Sequence, residues 1–446
     1  MIKPFVPSLP ISISTPMASE QYLLLCLVLS SLSLSVSTIQ SRGIRLNLTH
    51  IVARDLGGID PVRLAADRTH RRLDALLAAV TPAAATPTRS DGVESALHAS
   101  SASYLVDVAI GKPPLRLAAI FDTGSDLIWT QCDAPCRRCV PQPTPLYAPA
   151  RSTTYGELPC GAALCRALSW SRCSPGLGSC AYYYSYGDGS FSDGVLATET
   201  FSLGPGATVH GVAFGCSSNN RGAMDNSSGL VGMGRGPLSL ASQLGITRFS
   251  YCLTSFNDKT TVSPLFLGSS ASLSPAAKST PFVPSPTGPP RSSYHHLSLR
   301  GITVGDIRLP VDPAVFELTP SGHGGLFIDS GMTFTALEER AFVALAREVA
   351  AHVALPPVSS KRLGLTLCFA APVDVPRLVF HFDGADMELP RRSVVVEDRR
   401  AGVACLGFVK ARGMSVFGSM QQQNMHIMYD LERGVLSFEP ANCGEL

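Results

Sequence analysis

Two short segments of this chain have the residues and the setting for acid–base chemistry. Asp122-Thr123-Gly124-Ser125 follows the apolar run Leu117–Phe121, and Asp329-Ser330-Gly331-Met332 follows Gly325–Ile328. A hydrophobic strand that ends in Asp-(Thr/Ser)-Gly delivers a carboxylate to the mouth of a sheet, and the glycine lets the backbone turn and approach closely. One such tetrapeptide reads as an ordinary turn. Two of them on related strands imply two carboxylates facing each other. Such a pair does not ionise twice cheaply, so one pKa rises, the other falls, and the two share a proton. The ionised member takes a proton from a water held between them while the protonated member polarises a carbonyl. That is hydrolysis without a covalent intermediate, and it calls for no metal or cofactor.

The elements that must position these carboxylates repeat in the two halves. Each Asp motif is followed downstream by an apolar-apolar-Gly triplet, Leu230-Val231-Gly232 in one half and Val416-Phe417-Gly418 in the other. An internal duplication with diverged loops accounts for the echo. From Tyr104 the texture is one of short alternating runs: Tyr104–Ile110 is predicted as a strand with its turn at Gly111–Pro114, and Leu115–Phe121 as the next. A Ser/Pro-rich stretch over 268–293 separates two strand-rich lobes, and the spacing of Leu337, Phe342, Leu345, Val349 and Val353 predicts a helix over 337–354. Upstream, residues 62–80 place basic side chains among helically spaced apolar ones, followed by a Pro/Ala/Thr linker. A cysteine-free basic helix before a cysteine-rich body reads as a removable prosegment; a small attached N-terminal domain is the competing reading.

Composition limits the alternatives. The chain has 446 residues, too many for one ordinary core, and its 39 glycines and 34 prolines with only 16% charged residues favour turn-rich β structure. A formal net charge of +2 lacks the electrostatic footprint of a nucleic-acid binder. Tyr22–Val36 is an uncharged apolar run of signal-peptide length, shorter than a membrane span, with small residues at Ser35-Val36-Ser37 for cleavage. An uncleaved signal anchor is the competing reading, and either Met1 or Met17 serves as the start. Of 13 cysteines, Cys26 lies in that run; the other twelve argue for six disulfides in an oxidising compartment. The spacing Cys132-x3-Cys136-x2-Cys139 also admits a zinc site, but a fourth ligand is not evident. Asn47-Leu48-Thr49 and Asn226-Ser227-Ser228 fit the glycosylation acceptor pattern. His295-His296 has no partner motif and reads as structural. No GxSxG, HExxH or Gly-rich phosphate loop is present.

Over residues 100–446 the chain resembles the pepsin-like aspartic proteases, and most of all their plant nepenthesin-type branch. The resemblance is carried by FDTGSDLIWTQC (121–132), YGDGSFSDG (186–194), FGCSSNN (214–220), GLVGMGRGPLSLASQL (229–244), FSYCL (249–253), FIDSGMTFTAL (327–337) and VFGSMQQQNMHIMYDLERGVLSF (416–438). It implies an all-β fold with minor helices: two related lobes with the active-site cleft between them. It divides the chain into a signal peptide (1–37), a prosegment (38–100), an N-terminal lobe (101–270), a connection (271–293) and a C-terminal lobe (294–446). It makes Asp122 and Asp329 the catalytic pair. Thr123 and Ser330 brace the two loops, with Gly124 and Gly331 beside them, and Ser125 bonds the outer oxygen of its aspartate. Tyr186 and Gly187 belong to a mobile flap, on a hairpin turn over 187–190, and Trp129 bonds the flap tyrosine. The implied disulfides are 132–136, 139–216, 160–180, 165–173, 252–443 and 368–405.

The chain departs from that pattern at Met332, where the family usually carries Thr or Ser. A thioether donates no hydrogen bond. A bond to a charged acceptor contributes about 1.5–3 kcal/mol, so its loss raises the apparent pKa of the pair, and the bulk of Met332 stands to crowd Asp329. The expected function is a secreted aspartic endopeptidase acting as a monomer on protein or peptide substrates, without cofactor, nucleic acid or, after signal cleavage, membrane. The apoplast is the expected destination and the vacuole the second. The alternative is a weak or inactive relative that binds or inhibits other proteins.

Overall fold

The computed structural model describes residues 43–50, 61–80 and 103–446, apart from short loop positions in the last span such as 225–226, 287–290 and 360–362. The expected signal peptide, with Cys26, and the sequon asparagine Asn226 lie outside the described residues.

The strands and helices that position the site are, in chain order, β1 (Ile44–His50), α1 (Pro61–Val80), β2 (Tyr104–Ile110), β3 (Leu115–Asp122), β4 (Trp129–Gln131), β5 (Cys180–Ser185), β6 (Phe191–Ser202), β7 (Thr208–Arg221), β8 (Gly229–Gly232), β9 (Arg248–Cys252) and β10 (Ser263–Leu267). They continue with β11 (Lys278–Val283), β12 (His295–Leu297), β13 (Leu326–Asp329), β14 (Thr335–Glu338), α2 (Glu339–His352), β15 (Phe408–Ala411), β16 (Ser415–Gly418), β17 (Met425–Asp430) and β18 (Val435–Pro440).

The duplication is visible in the pairing. β3 runs parallel to β8 with Asp122 opposite Gly232, and β13 runs parallel to β16 with Asp329 opposite Gly418. In the first half β4 pairs antiparallel with β8 and parallel with β7; in the second, β14 pairs antiparallel with β16 and parallel with β15. Of these strands β4, β8, β13 and β16 are buried at every position, and β3 is buried from Ala119 to Asp122. Such strands read as continuous apolar runs, the pattern that precedes each Asp motif. The lobes share a floor: β9 pairs with β17, β17 with β18, and β18 with β11, which leads through β12 to β13. The architecture is mainly β and bilobal, the pepsin-like fold.

β1 was not anticipated as part of this framework. It lies between β10 and β2, with Ile44–Leu48 opposite Leu267–Ser263 and Leu48–His50 opposite Val106–Tyr104. Leu46 and Leu48 face the core while Asn47 is exposed. The connecting segment likewise contributes β11, so the expected boundary at 271–293 crosses a strand of the shared floor. The predicted C-terminal helix is α2, capped by the Glu338 carboxylate, which accepts from Arg340 N at 2.8 Å. It buries Ala341, Phe342, Leu345 and Val349. Among the described residues, no helix is long and apolar enough to cross a membrane.

All twelve cysteines after Cys26 are in disulfides, but four of the six implied pairings are corrected. The structure joins Cys132 to Cys216, Cys136 to Cys139, Cys160 to Cys173 and Cys165 to Cys180; Cys252–Cys443 and Cys368–Cys405 coincide with the implied pairs. Geometry explains the changes. β4 and β7 are parallel neighbours with Thr130 opposite Cys216, so Cys132, two residues on and on the same face as Thr130, meets Cys216 diagonally with a Cα–Cα distance of 5.5 Å. That leaves Cys136 and Cys139 facing each other across a tight loop. In the insertion, Cys165 and Cys180 are buried in the same apolar cluster, whereas Cys160 and Cys173 sit at its surface. Mass spectrometry of peptides generated without reduction is expected to recover Cys132 joined to Cys216; a peptide holding Cys132–Cys136 would overturn this arrangement.

Candidate active site

Asp122 and Asp329 sit at the ends of β3 and β13 and are fully buried. Their loops are tied by reciprocal bonds: Thr123 N donates to Ser330 Oγ at 3.0 Å, and Ser330 N donates to Thr123 Oγ1 at 2.9 Å. Ser330 Oγ in turn donates to Phe121 O at 3.0 Å. The two glycines are required by proximity. A Cβ on Gly124 would stand 2.5 Å from the Asp329 carboxyl carbon, and one on Gly331 would stand 2.3 Å from Asp122 Oδ1. Each loop therefore reaches across to the other aspartate, an approach that any side chain would block.

The carboxyls receive unequal support. Asp122 accepts from Ser125 Oγ at 2.5 Å and from Gly124 N at 3.0 Å. Asp329 accepts from Gly331 N at 2.8 Å and, among the described residues, from no hydroxyl. Burial raises the pKa of both. For Asp122 the neighbouring Arg72 charge and the Ser125 bond outweigh burial and hold it below the ordinary carboxylate value. For Asp329 burial, reinforced by the Asp122 charge, prevails over Arg72 and pushes it well above that value. Of the coupled pair, Asp329 is thus the more readily protonated member.

Met332 is buried in an apolar cluster with Leu73, Leu76, Tyr294, Phe334 and Met420. Trp129 Nε1 donates to the Tyr186 hydroxyl at 2.6 Å. Tyr186 stands at the tip of the β5–β6 hairpin, where Tyr186 N donates to Ser190 O to close the turn. His295 and His296 lie in β12, packed against Tyr429 and Phe327 respectively, and burial pushes their pKa values down to about 3 and about 4. They pack in the core as neutral rings. No cluster of metal-ligating residues occurs among the described residues.

Sequence reasoning missed the group that fills the cleft. Arg72 of α1 is buried between the aspartates, with Nη2 3.3 Å from Asp122 Oδ1 and 2.7 Å from Asp329 Oδ2, and Nη1 donates to Gly331 O at 3.1 Å. Burial opposes its charge, but the fields of Asp329, Asp122 and Asp188 outweigh that cost, so the guanidinium is held more firmly protonated than usual. One turn earlier, Arg68 Nε lies 3.4 Å from Asp188 Oδ2 at the flap tip. Pro61 opens the helix, and Ala65, Arg68, Thr69, Arg72, Leu73 and Leu76 form its buried face. Leu73 and Leu76 contribute about 1.5–3 kcal/mol each by leaving water. The i,i+4 spacing of Arg68 and Arg72 on the apolar face of α1 was the available signal.

The fold and the braced carboxyl pair define the framework of a pepsin-like aspartic protease. The chain matches the family models for the xylanase inhibitor N-terminal domain over residues 104–269 and the xylanase inhibitor C-terminal domain over 294–440. It is 40% identical over 412 residues to aspartic proteinase nepenthesin-1 of Nepenthes gracilis, spanning 90% of this chain and 91% of that protein. It is 34% identical over 462 residues to aspartyl protease 37 of Oryza sativa subsp. japonica, spanning 95% and 99%. Among solved structures it is similar to edgp (TM-score 0.67, 15% identity, 91% of this chain and 96% of that one) and to basic 7S globulin from soybean (TM-score 0.61, 18% identity, 77% and 95%). The chain belongs to the pepsin-like aspartic protease family, in its nepenthesin-type branch.

Met332→Thr places a hydroxyl where Asp329 has only a backbone donor. A donor to the charged form favours ionisation, so the Asp329 titration is expected to move to lower pH by about one to two units. Carboxyl NMR of the chain, or the alkaline limb of its hydrolysis, reads the shift; an unchanged midpoint would refute the role given to Met332.

Proposed function

We propose that the chain is the precursor of a secreted aspartic endopeptidase. The observation that carries this reading is the pair itself: two buried, cross-braced carboxyls with one proton between them. Asp122, ionised, takes a proton from the attacking water. Asp329, protonated, donates to the carbonyl oxygen of the peptide bond as the tetrahedral intermediate forms. Collapse of the intermediate expels the amine, which takes a proton from the pair. The relatives named as proteinases support this reading over an inactive binding protein. Substrates are proteins or peptides, and the enzyme acts as a monomer. The apolar run at 22–36 supports entry to the secretory pathway, with the apoplast as destination.

Residues 38–100 act as an inhibitory prosegment. Arg72 stands where substrate and water must bind, and it lowers the pKa of both aspartates relative to a cleft without it. Arg68 and Arg72 do the same to Asp188. A group whose pKa is lowered by docking strengthens the docked state at higher pH and releases that energy as pH falls through the lowered value. The contacts therefore hold at neutral pH and weaken in acid.

Hydrolysis of a denatured protein from pH 2 to 7 by the acid-treated chain tests the activity. Pepstatin-sensitive cleavage absent from Asp329→Asn is expected; a folded, processed chain that cleaves nothing would refute it. Arg72→Gln removes the bridging charge, and its precursor is expected to open at a pH about one unit higher than wild type. Conversion at an unchanged pH would show that Arg72 does not hold the cleft shut.

A further inference from the structure

The glycine-rich stretch Gly232-Met233-Gly234-Arg235-Gly236 has no part in the chemistry above, yet its spacing is demanding. It wraps Asp126, four residues beyond Asp122. A Cβ on Gly232 would stand 2.3 Å from the Asp126 carbonyl carbon, one on Gly234 would stand 2.4 Å from Oδ1, and one on Gly236 would stand 2.1 Å from Oδ2. All three glycines are needed for the backbone to close around one carboxylate. That carboxylate is buried. Its Oδ1 accepts from Gly236 N at 2.9 Å, and its Oδ2 accepts a short hydrogen bond from Ser293 Oγ.

Ser293 belongs to the other side of the molecule. It sits directly before Tyr294, whose ring stacks on Phe327 with centroids 4.3 Å apart, and before β12, which pairs His295 with Ile328 next to Asp329. A second strap runs alongside, from Arg235 N to Ser293 O at 3.0 Å. The path from Asp126 to the strand carrying Asp329 is thus a short one through hydrogen bonds and packed rings. Asp126 also meets the flap, since its backbone N donates to the Tyr184 hydroxyl at 3.4 Å and Tyr184 packs against Tyr186.

The duplication supplies an internal control. In the second half the residue at the place of Asp126 is Thr333, and the stretch after Gly418 is Ser419-Met420-Gln421-Gln422, with none of the alternating glycines. Both stretches still close by backbone bonds, in different register: Met420 N donates to Thr333 O at 2.9 Å, whereas Gly234 N donates to Ser125 O at 2.8 Å. The buried carboxylate and its cradle are additions to the first half alone, so the duplicated scaffold does not require them.

We propose that Asp126 is a positioning residue for the catalytic pair: clasped by Gly236 and by Ser293 at the entry to the second lobe, it fixes the Asp122 loop against the strand that carries Asp329. It does not touch substrate. The catalytic part of the proposal rests on the reading of the chain as an aspartic endopeptidase; the clasp itself does not.

The test uses the acid-processed full chain and three variants. Asp126→Asn keeps Oδ1 for Gly236 N and reverses the bond to Ser293, and it is expected to retain kcat within about threefold. Asp126→Ala loses the clasp, and its kcat is expected to fall about tenfold to a hundredfold with KM changed far less, as misplaced catalytic groups require. Its Tm, and that of Ser293→Ala, are expected to fall by about 3–6 °C. The Asp126→Ala/Ser293→Ala double variant is expected to melt no lower than the worse single one, since both remove the same bond. Wild-type kcat in Asp126→Ala, or additive losses of Tm in the double variant, would overturn the proposal. A wild-type chain that cleaves nothing would refute the protease reading instead, and the melting cycle would then decide the clasp alone.

Discussion

Two buried carboxyl groups face each other where the lobes meet, and the arrangement of both lobes follows from keeping them there. Their mutual repulsion is answered by a proton on Asp329 and by the reciprocal Thr123–Ser330 bonds, which tie the loops through neutral groups. Because each loop reaches over the opposite aspartate, neither lobe holds its own carboxyl correctly without the other. The two parallel pairs, β3 with β8 and β13 with β16, deliver the loops from stiff strands that are buried where they approach the aspartates. That stiffness matters, since displacements of an ångström at such a site are costly.

The site is symmetric in backbone and asymmetric in donors. Ser125 gives Asp122 a hydroxyl, and Met332 denies one to Asp329. In a buried pair that difference favours the proton on Asp329, because one hydrogen bond to a charged group is comparable to about one or two pKa units. Arg72 then adds a cation with access to both, and its strongest contact is with the less supported member. The unequal pair and the cation that covers it are complementary features of one electrostatic design.

Much of this was legible in the sequence because it is local. The Asp-Thr-Gly and Asp-Ser-Gly turns, the apolar runs before them and Ser125 all sit in short motifs whose chemistry is set within a few residues, whereas the Trp129–Tyr186 pair, 57 residues apart, was legible only through the family resemblance. What was not legible depends on contacts distant in sequence. Arg72 lies 50 residues from Asp122 and 257 from Asp329, and its periodicity announced a helix without naming what the helix covers. The disulfide partners of Cys132 and Cys165 follow from strand adjacency and from burial, neither of which is written in cysteine order. β1 was obscured by its shortness and by its place inside the expected prosegment. The role of Asp126 was hidden inside a motif where the catalytic aspartate drew the attention.

β1 and α1 are joined in one N-terminal segment but are held by forces that respond differently to acid. α1 is seated by arginines on carboxylates, and each proton added to those carboxylates loosens it. β1 is hydrogen-bonded backbone to backbone with β10 and β2, and peptide groups do not titrate. Lowering the pH therefore acts on a latch while leaving its hinge in place. If the helix leaves the cleft as proposed above, the strand's backbone bonds would keep it tethered to the body, which would make opening an intramolecular event and closing on a return to higher pH its reverse.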